Sequence, residues 1–175
     1  PRHGGDGGCG VGVLLVDEAL DAAERVRPAV GDAAEVEPAC LAHGGYQGLE
    51  RALTLAPDDV VREIIESGLR GRGGAAFPTG IKWQTVAAQP TTTKYIVCNA
   101  DEGDSGTFAD RMIMEGDPFL LSEGMIIAGL AVGATRGFIY LRVEYPHAYE
   151  VMGAAIAAAR AAGCLGADVL GSGRS

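Results

Sequence analysis

An α/β fold with stacked layers is predicted from the alternation of short β-type runs with helix-type runs after residue 43, the near-complete apolarity of one central helix, and a glycine excess that excludes helical bundles. Pro57, followed by Asp58 and Asp59, places proline in a first turn and two acids at the positive end of a helix dipole. Val60, Val61, Ile64, Ile65 and Leu69 then recur on one face, and Gly68 marks the stop. A glycine-rich loop follows, and Tyr95–Cys98 reads as a strand. Asp117-Pro118 opens a second helix over 119–132, apolar almost all round and therefore buried. Residues 137–143 read as another strand, and Pro146–Ala162 as an alanine-rich helix ended by Gly163. Strands separated by helices imply a parallel sheet. No internal repeat occurs.

The chain has 175 residues, of which 47% are hydrophobic and 21% charged, enough apolar content for a packed core in one domain. Glycine occurs 27 times, about twice its usual share of roughly 7%. With no G-X-Y period, that excess indicates backbone making tight turns or approaching a ligand closely. Fourteen basic against 23 acidic side chains give a net charge of −9, which disfavours nucleic acid and anionic membrane surfaces as partners. No apolar run reaches the roughly 20 residues of a membrane span, and Val11–Val16 is too short for a secretory signal core. Cys9, Cys40, Cys98 and Cys164 are scattered, without the spacing of a zinc or iron–sulfur ligand set, and a cytoplasmic location is the expectation. Residues 1–42 are expected to be an N-terminal tail of uncertain pattern, with a short helix possible at 20–27, and residues 43–175 the first part of a ligand-binding domain.

Two segments carry chemistry. Residues 68–83, Gly-Leu-Arg-Gly-Arg-Gly-Gly-Ala-Ala-Phe-Pro-Thr-Gly-Ile-Lys-Trp, contain a literal G-x-G-x-x-A match, but a dinucleotide fingerprint follows a strand and opens a helix, whereas this loop follows a helix. What survives is its physics: consecutive glycines offer backbone N–H groups to an anion, Arg70, Arg72 and Lys82 add positive charge, and Phe77 and Trp83 offer stacking surfaces. A surface loop whose glycines serve only turns is the plainer alternative. Residues 99–106, Asn-Ala-Asp-Glu-Gly-Asp-Ser-Gly, follow a strand, where ligands gather in open α/β sheets. Asn99, Asp101, Glu102 and Asp104 there suit the hydroxyls and heterocycle of a nucleotide, a divalent metal, or simply a solvated acidic turn. Asp117 is read as an N-cap, Arg111 as an ion-pair partner and the four methionines as core. His43 and His147 have no companions at ligand spacing, so no metal site and no acid–base residue is assigned.

The two segments, about 16 residues apart, together with Asp110-Arg111, Met114-Glu115-Gly116-Asp117-Pro118, Glu123-Gly124-Met125 and Leu141-Arg142-x-Glu144-Tyr145, resemble the NADH-oxidising, FMN-binding flavoprotein subunits of respiratory complex I and their soluble relatives. Those relatives include the diaphorase subunits of NAD-reducing hydrogenases and the beta subunits of NAD-dependent molybdenum formate dehydrogenases. The run Asp104-Ser-Gly-Thr-Phe-Ala-Asp-Arg-Met112, with Ala75-Ala76, looks most like the formate dehydrogenase branch. The resemblance covers residues 43–173 and implies a Rossmann-like, incomplete FMN/NADH-binding domain. It implies that Gly71, Gly73 and Lys82 contact FMN with Asn99 and Asp101, that Gly74, Ala75 and Phe77 line the NADH site with Phe77 on adenine, and that Glu102 and Asp104 lie near the nicotinamide and its ribose. Hydride passes between NAD(H) and FMN in that family, the flavin carrying the chemistry, and electrons pass to iron–sulfur clusters. Partners implied are an iron–sulfur small subunit and a catalytic subunit of molybdenum formate dehydrogenase or hydrogenase type. Three positions depart from the pattern: Ala76 replaces a common Gly, Thr85 a second aromatic, and Asp104 a common Glu. The family's second glycine segment and the four cysteines of a [4Fe–4S] cluster are not in these 175 residues. An inactive binding fragment of the same fold and a metal-dependent nucleotide phosphotransferase are the alternative readings.

Overall fold

The computed structural model describes residues 11–16 and 44–175. The expectations for residues 1–10 and 17–43, including the helix at 20–27, lie outside these residues, as do Cys9, Cys40 and His43. Three strands form one sheet in the order β1-β3-β2: β1 (Val11–Val16), β2 (Tyr95–Ala100) and β3 (Arg136–Arg142). β2 and β3 are parallel, with Tyr95 opposite Arg136 and Ala100 opposite Leu141. β1 runs antiparallel to β3, Val11 opposite Arg142 and Val16 opposite Gly137. The expectation of a parallel sheet therefore holds for the β2–β3 pair and is corrected at the edge, where an apolar run considered only as a signal core pairs as a strand.

The helices are α1 (Gln47–Leu53), α2 (Pro57–Glu66), α3 (Thr79–Ala87), α4 (Ala109–Gly116), α5 (Pro118–Val132) and α6 (Pro146–Ala161). α5 is the centre of the molecule. Asp117 caps it, accepting from the Leu120 amide at 3.1 Å, Pro118 fills its first turn, and Gly133 ends it at φ +75°. Its side chains supply three apolar clusters at once, which is why no polar face survives. Met125 meets Ile139, Leu141, Met152 and Ile156 over one face of the sheet. Phe119, Ile126 and Leu130 meet Tyr46, Leu49 and the alanines of α6. Ala131 meets Ala52, Val60 and Val61. Full burial of a side chain such as Leu49 contributes about 1.5–3 kcal/mol.

Four local expectations change. Only Val60 and Val61 of the α2 stripe are buried; Ile65 and Leu69 stay exposed. Residues 79–83, read as the end of the glycine-rich segment, open α3, whose apolar pattern is too weak to announce a helix. Met112 is 70% exposed rather than core, unlike Met114, Met125 and Met152. Trp83 packs, partly buried, against the Ala52–Val60–Val61 cluster, so contact with α2 and α5 claims the ring offered above as a stacking surface.

Candidate cofactor-binding site

The glycine-rich segment is a closed loop. The Thr79 amide donates to the Leu69 carbonyl at 2.9 Å and the Gly71 amide to the Phe77 carbonyl at 2.9 Å, with Arg70 and Pro78 bridged antiparallel. Arg70 Nη1 donates across the loop to the Ala76 carbonyl at 3.0 Å, so one of the three cations serves the loop itself. Lys82 and Arg72 have no ion-pair partner among the described residues. Between the ties, a Cβ built on Gly73 or Gly74 meets nothing within 4 Å, and Phe77 is 49% exposed. The loop is thus closed at its stem and open at its glycine tip, with the exposed Phe77 ring at the stem and Lys82 in the first turn of α3 beyond it, groups of the kind that a phosphorylated, flat cofactor requires. Where the glycines leave space, FMN fits by its chemistry.

Ala76 lies in the left-handed region at φ +50°. A Cβ there costs about 1–2 kcal/mol, a cost that glycine would not carry. Ala76→Gly relieves that strain but adds entropy to the unfolded chain. We expect a net gain of about 0.5–1 kcal/mol, seen as a raised midpoint in urea; an unchanged or lowered midpoint refutes the strain.

The acidic turn after β2 is organised around one buried residue. Asn99 Oδ1 accepts from the Asp101 amide at 3.2 Å, and the Thr107 amide donates to the Asp104 carbonyl at 3.2 Å. Asn99, Asp101 and Asp104 are exposed, whereas Glu102 is 7% exposed. Its carboxylate accepts from the amides of Asp110 at 3.1 Å and Arg111 at 3.3 Å, capping α4 from outside the helix. Tyr145 Oη lies 3.4 Å from Glu102 Oε2, and Arg142 Nη1 donates to the Glu102 carbonyl. The guanidinium carbons of Arg142 and Arg111 stand 5.2 and 5.4 Å from the Tyr145 ring centroid, and each arginine also pairs with a glutamate, Arg142 with Glu144 at 3.1 Å and Arg111 with Glu115 at 2.9 Å. The Arg111 expectation is met by this pair. Partial burial, with the Glu102 charge adding to it, raises the Asp110 carboxyl above the ordinary range. Burial, then Asp110, raises the Cys98 thiol, leaving it a poor nucleophile.

Arg142 and Tyr145 are residues to which sequence reasoning gave no role. Their only signal was the run Leu141-Arg142-x-Glu144-Tyr145, because their partner Glu102 is some 40 positions away in the chain. Among the described residues no three His, Cys, Asp or Glu side chains are grouped to hold a metal ion, and no helix is long and apolar enough to cross a membrane.

Residues 64–171 match the Nuo51 FMN-binding domain. The chain belongs to that family. It is 50% identical over 133 residues to a subunit of the NADH-quinone oxidoreductase of Aquifex aeolicus, covering 76% of this chain and 31% of that one. It is 52% identical over 133 residues to the HndC subunit of the NADP-reducing hydrogenase of Solidesulfovibrio fructosivorans, covering 76% and 27%. Among solved structures, NAD+-reducing [NiFe]-hydrogenase in the H2-reduced state is similar with a TM-score of 0.58 and 41% identity, over 63% of this chain and 20% of that one. The chain thus spans about a third or less of the length of these relatives. The α/β assignment and the resemblance to FMN-binding flavoprotein subunits hold.

Proposed function

We propose that this chain is the FMN- and NADH-binding segment of an NAD-linked oxidoreductase subunit. The observation that carries the reading is the closed glycine cradle with its open tip, on a chain whose family is FMN-binding. Gly73 and Lys82 hold the flavin phosphate side, with a backbone amide and a lysine that offset its charge, and Gly71, whose own amide closes the stem, lets the cofactor approach the backbone. Asn99 and Asp101 take polar groups of the same cofactor, while Gly74, Ala75 and Phe77 line the nucleotide site, Phe77 stacking on the adenine. Asp104, which is exposed, stands near the nicotinamide and its ribose, whereas Glu102, expected beside it, is buried with its carboxylate taken by the α4 amides and shapes the turn instead. FMN, when bound, supplies the hydride acceptor. The residues here bind and orient both nucleotides, and none has to move a proton.

The surrounding machinery is proposed on the same footing: a longer cytoplasmic subunit carrying a [4Fe–4S] cluster, an iron–sulfur small subunit, and a catalytic subunit. The run Asp104–Met112, with Ala75-Ala76, resembles the formate dehydrogenase branch, and NAD-dependent formate oxidation is proposed on that resemblance alone. The experiment is purification of the full-length subunit. Stoichiometric FMN and NADH-driven reduction of an artificial dye are expected, both strongly reduced in Lys82→Ala and Asp101→Ala. A flavin-free subunit inactive with NADH overturns the reading. The 175-residue chain alone is expected to hold FMN weakly, because it carries part of the pocket; tight stoichiometric titration would contradict that.

A further inference from the structure

We propose that Arg142 and Tyr145 are positioning residues that clamp the turn at residues 99–104 in its ligand-binding shape; this rests on the function proposed above. The turn alternates held and free residues. Glu102 is gripped at its backbone, where the Arg142 guanidinium donates to its carbonyl, and at its side chain, where two α4 amides and the Tyr145 hydroxyl converge. Asp101 and Asp104 on either side stay exposed, and Gly103 and Gly106 have open space around them. A turn with one glycine inside it, a second just beyond it and three carboxylates has many accessible shapes and repels itself. One buried anchor removes most of that freedom, and the ligand is then spared the ordering cost.

Arg142 suits the task through its planar fork. Nη1 reaches Glu102, Nε reaches Glu144 at 3.1 Å, and the flat face lies 5.2 Å from the Tyr145 ring centroid. Tyr145 is itself 7% exposed and precedes Pro146 at the start of α6, so the clamp is fixed to the helical layer. It ties β2's turn, β3's last residue and the first turns of α4 and α6 at one point. Neither side chain has to touch the nucleotide.

The test compares Arg142→Gln, Arg142→Lys and Tyr145→Phe in the full-length subunit, reading FMN content, KM and kcat for NADH with a dye acceptor, and amide exchange at Asp110 and Arg111. Loss of one charge-assisted hydrogen bond corresponds to about a ten-fold change. Arg142→Gln is expected to raise KM for NADH by about that factor, with kcat within about two-fold and faster exchange at both amides. Arg142→Lys, which keeps the charge but loses the fork, is expected to fall between Gln and wild type, and it carries the test if the Gln variant does not fold. Tyr145→Phe keeps the stacked ring but removes the hydroxyl 3.4 Å from Glu102, a long hydrogen bond, and is expected to raise KM for NADH about three-fold; an unchanged KM would overturn the part given to Tyr145. A flavin-loaded Arg142→Lys or Arg142→Gln subunit with unchanged KM overturns this proposal alone, even if its melting temperature falls. A wild-type subunit without flavin or NADH oxidation overturns it together with the function on which it rests.

Discussion

Replacing Glu123 with alanine is expected to destabilise the chain by about 3 kcal/mol, since two buried amides lose their acceptor at about 1–3 kcal/mol each. Glu123 lies on α5 and is 9% exposed. Its carboxylate accepts from the Leu49 amide at 2.9 Å and from the Tyr46 amide at 3.1 Å, which are the N-terminal donors of α1. α1 has seven residues and no side-chain cap of its own, so this carboxylate on another helix completes it and offsets its dipole. The neighbouring chain is shaped for the contact: a Cβ on Gly48 would fall 2.9 Å from Glu123 Oε1. Urea unfolding followed by circular dichroism should show the midpoint lowered by about 1–3 M. Glu123→Gln keeps one acceptor but turns an NH2 toward the other amide, and should lose a substantial part of the same energy. A loss below about 1 kcal/mol in Glu123→Ala would show that water serves these amides instead.

The second large effect separates two glycines of the same segment. At Gly80 an added Cβ would lie 2.6 Å from the backbone nitrogen of Ile65, 2.6 Å from its Cγ1 and 2.8 Å from its Cα. The obstacle is the backbone of α2, which cannot rotate aside, so Gly80→Ala forces α3 away from α2 and is expected to cost about 3 kcal/mol or more. The shift carries Lys82, two residues on, out of register with the loop, and flavin affinity of the full-length subunit should fall with stability. Gly73→Ala is the contrast. Its Cβ meets nothing within 4 Å and its φ is not in the left-handed region, so stability should change by no more than about 0.5 kcal/mol, while the methyl enters the cradle and weakens FMN binding. Thermal unfolding beside flavin titration distinguishes the pair. Equal stability losses in both variants would mean that the loop tip is packed against protein, contrary to the cradle.

The legible part of the fold was the part written in local pattern. Pro57-Asp58-Asp59, Asp117-Pro118, Gly68 and Gly163 mark helix ends by their own chemistry, and each does so in the structure. The buried character of α5 followed from its composition alone. α3 escaped because its exposed and buried residues do not alternate on a helical period; contacts with α2 and α5 decide it. β1 escaped because a six-residue apolar run has no preference between pairing with β3 and any other burial until β3 exists beside it. Trp83 looked like a ligand platform next to the glycines, and α3 turns it into the Val60–Val61 cluster.

At the site the division is the same. Sequence by itself determined the chemical content: a glycine run with cations, an aromatic and a lysine, then an amide–carboxylate turn after a strand, each a local statement about backbone freedom and charge. Only the tertiary structure decided which of these groups is spent on the protein itself. Arg70 closes its own loop, Glu102 caps α4 under the hold of Arg142 and Tyr145, and Glu123 completes α1. Those assignments join residues 6, 40 and 77 positions apart. A buried carboxylate goes wherever unsatisfied amides meet it in space, and spacing along the chain carries no record of that meeting.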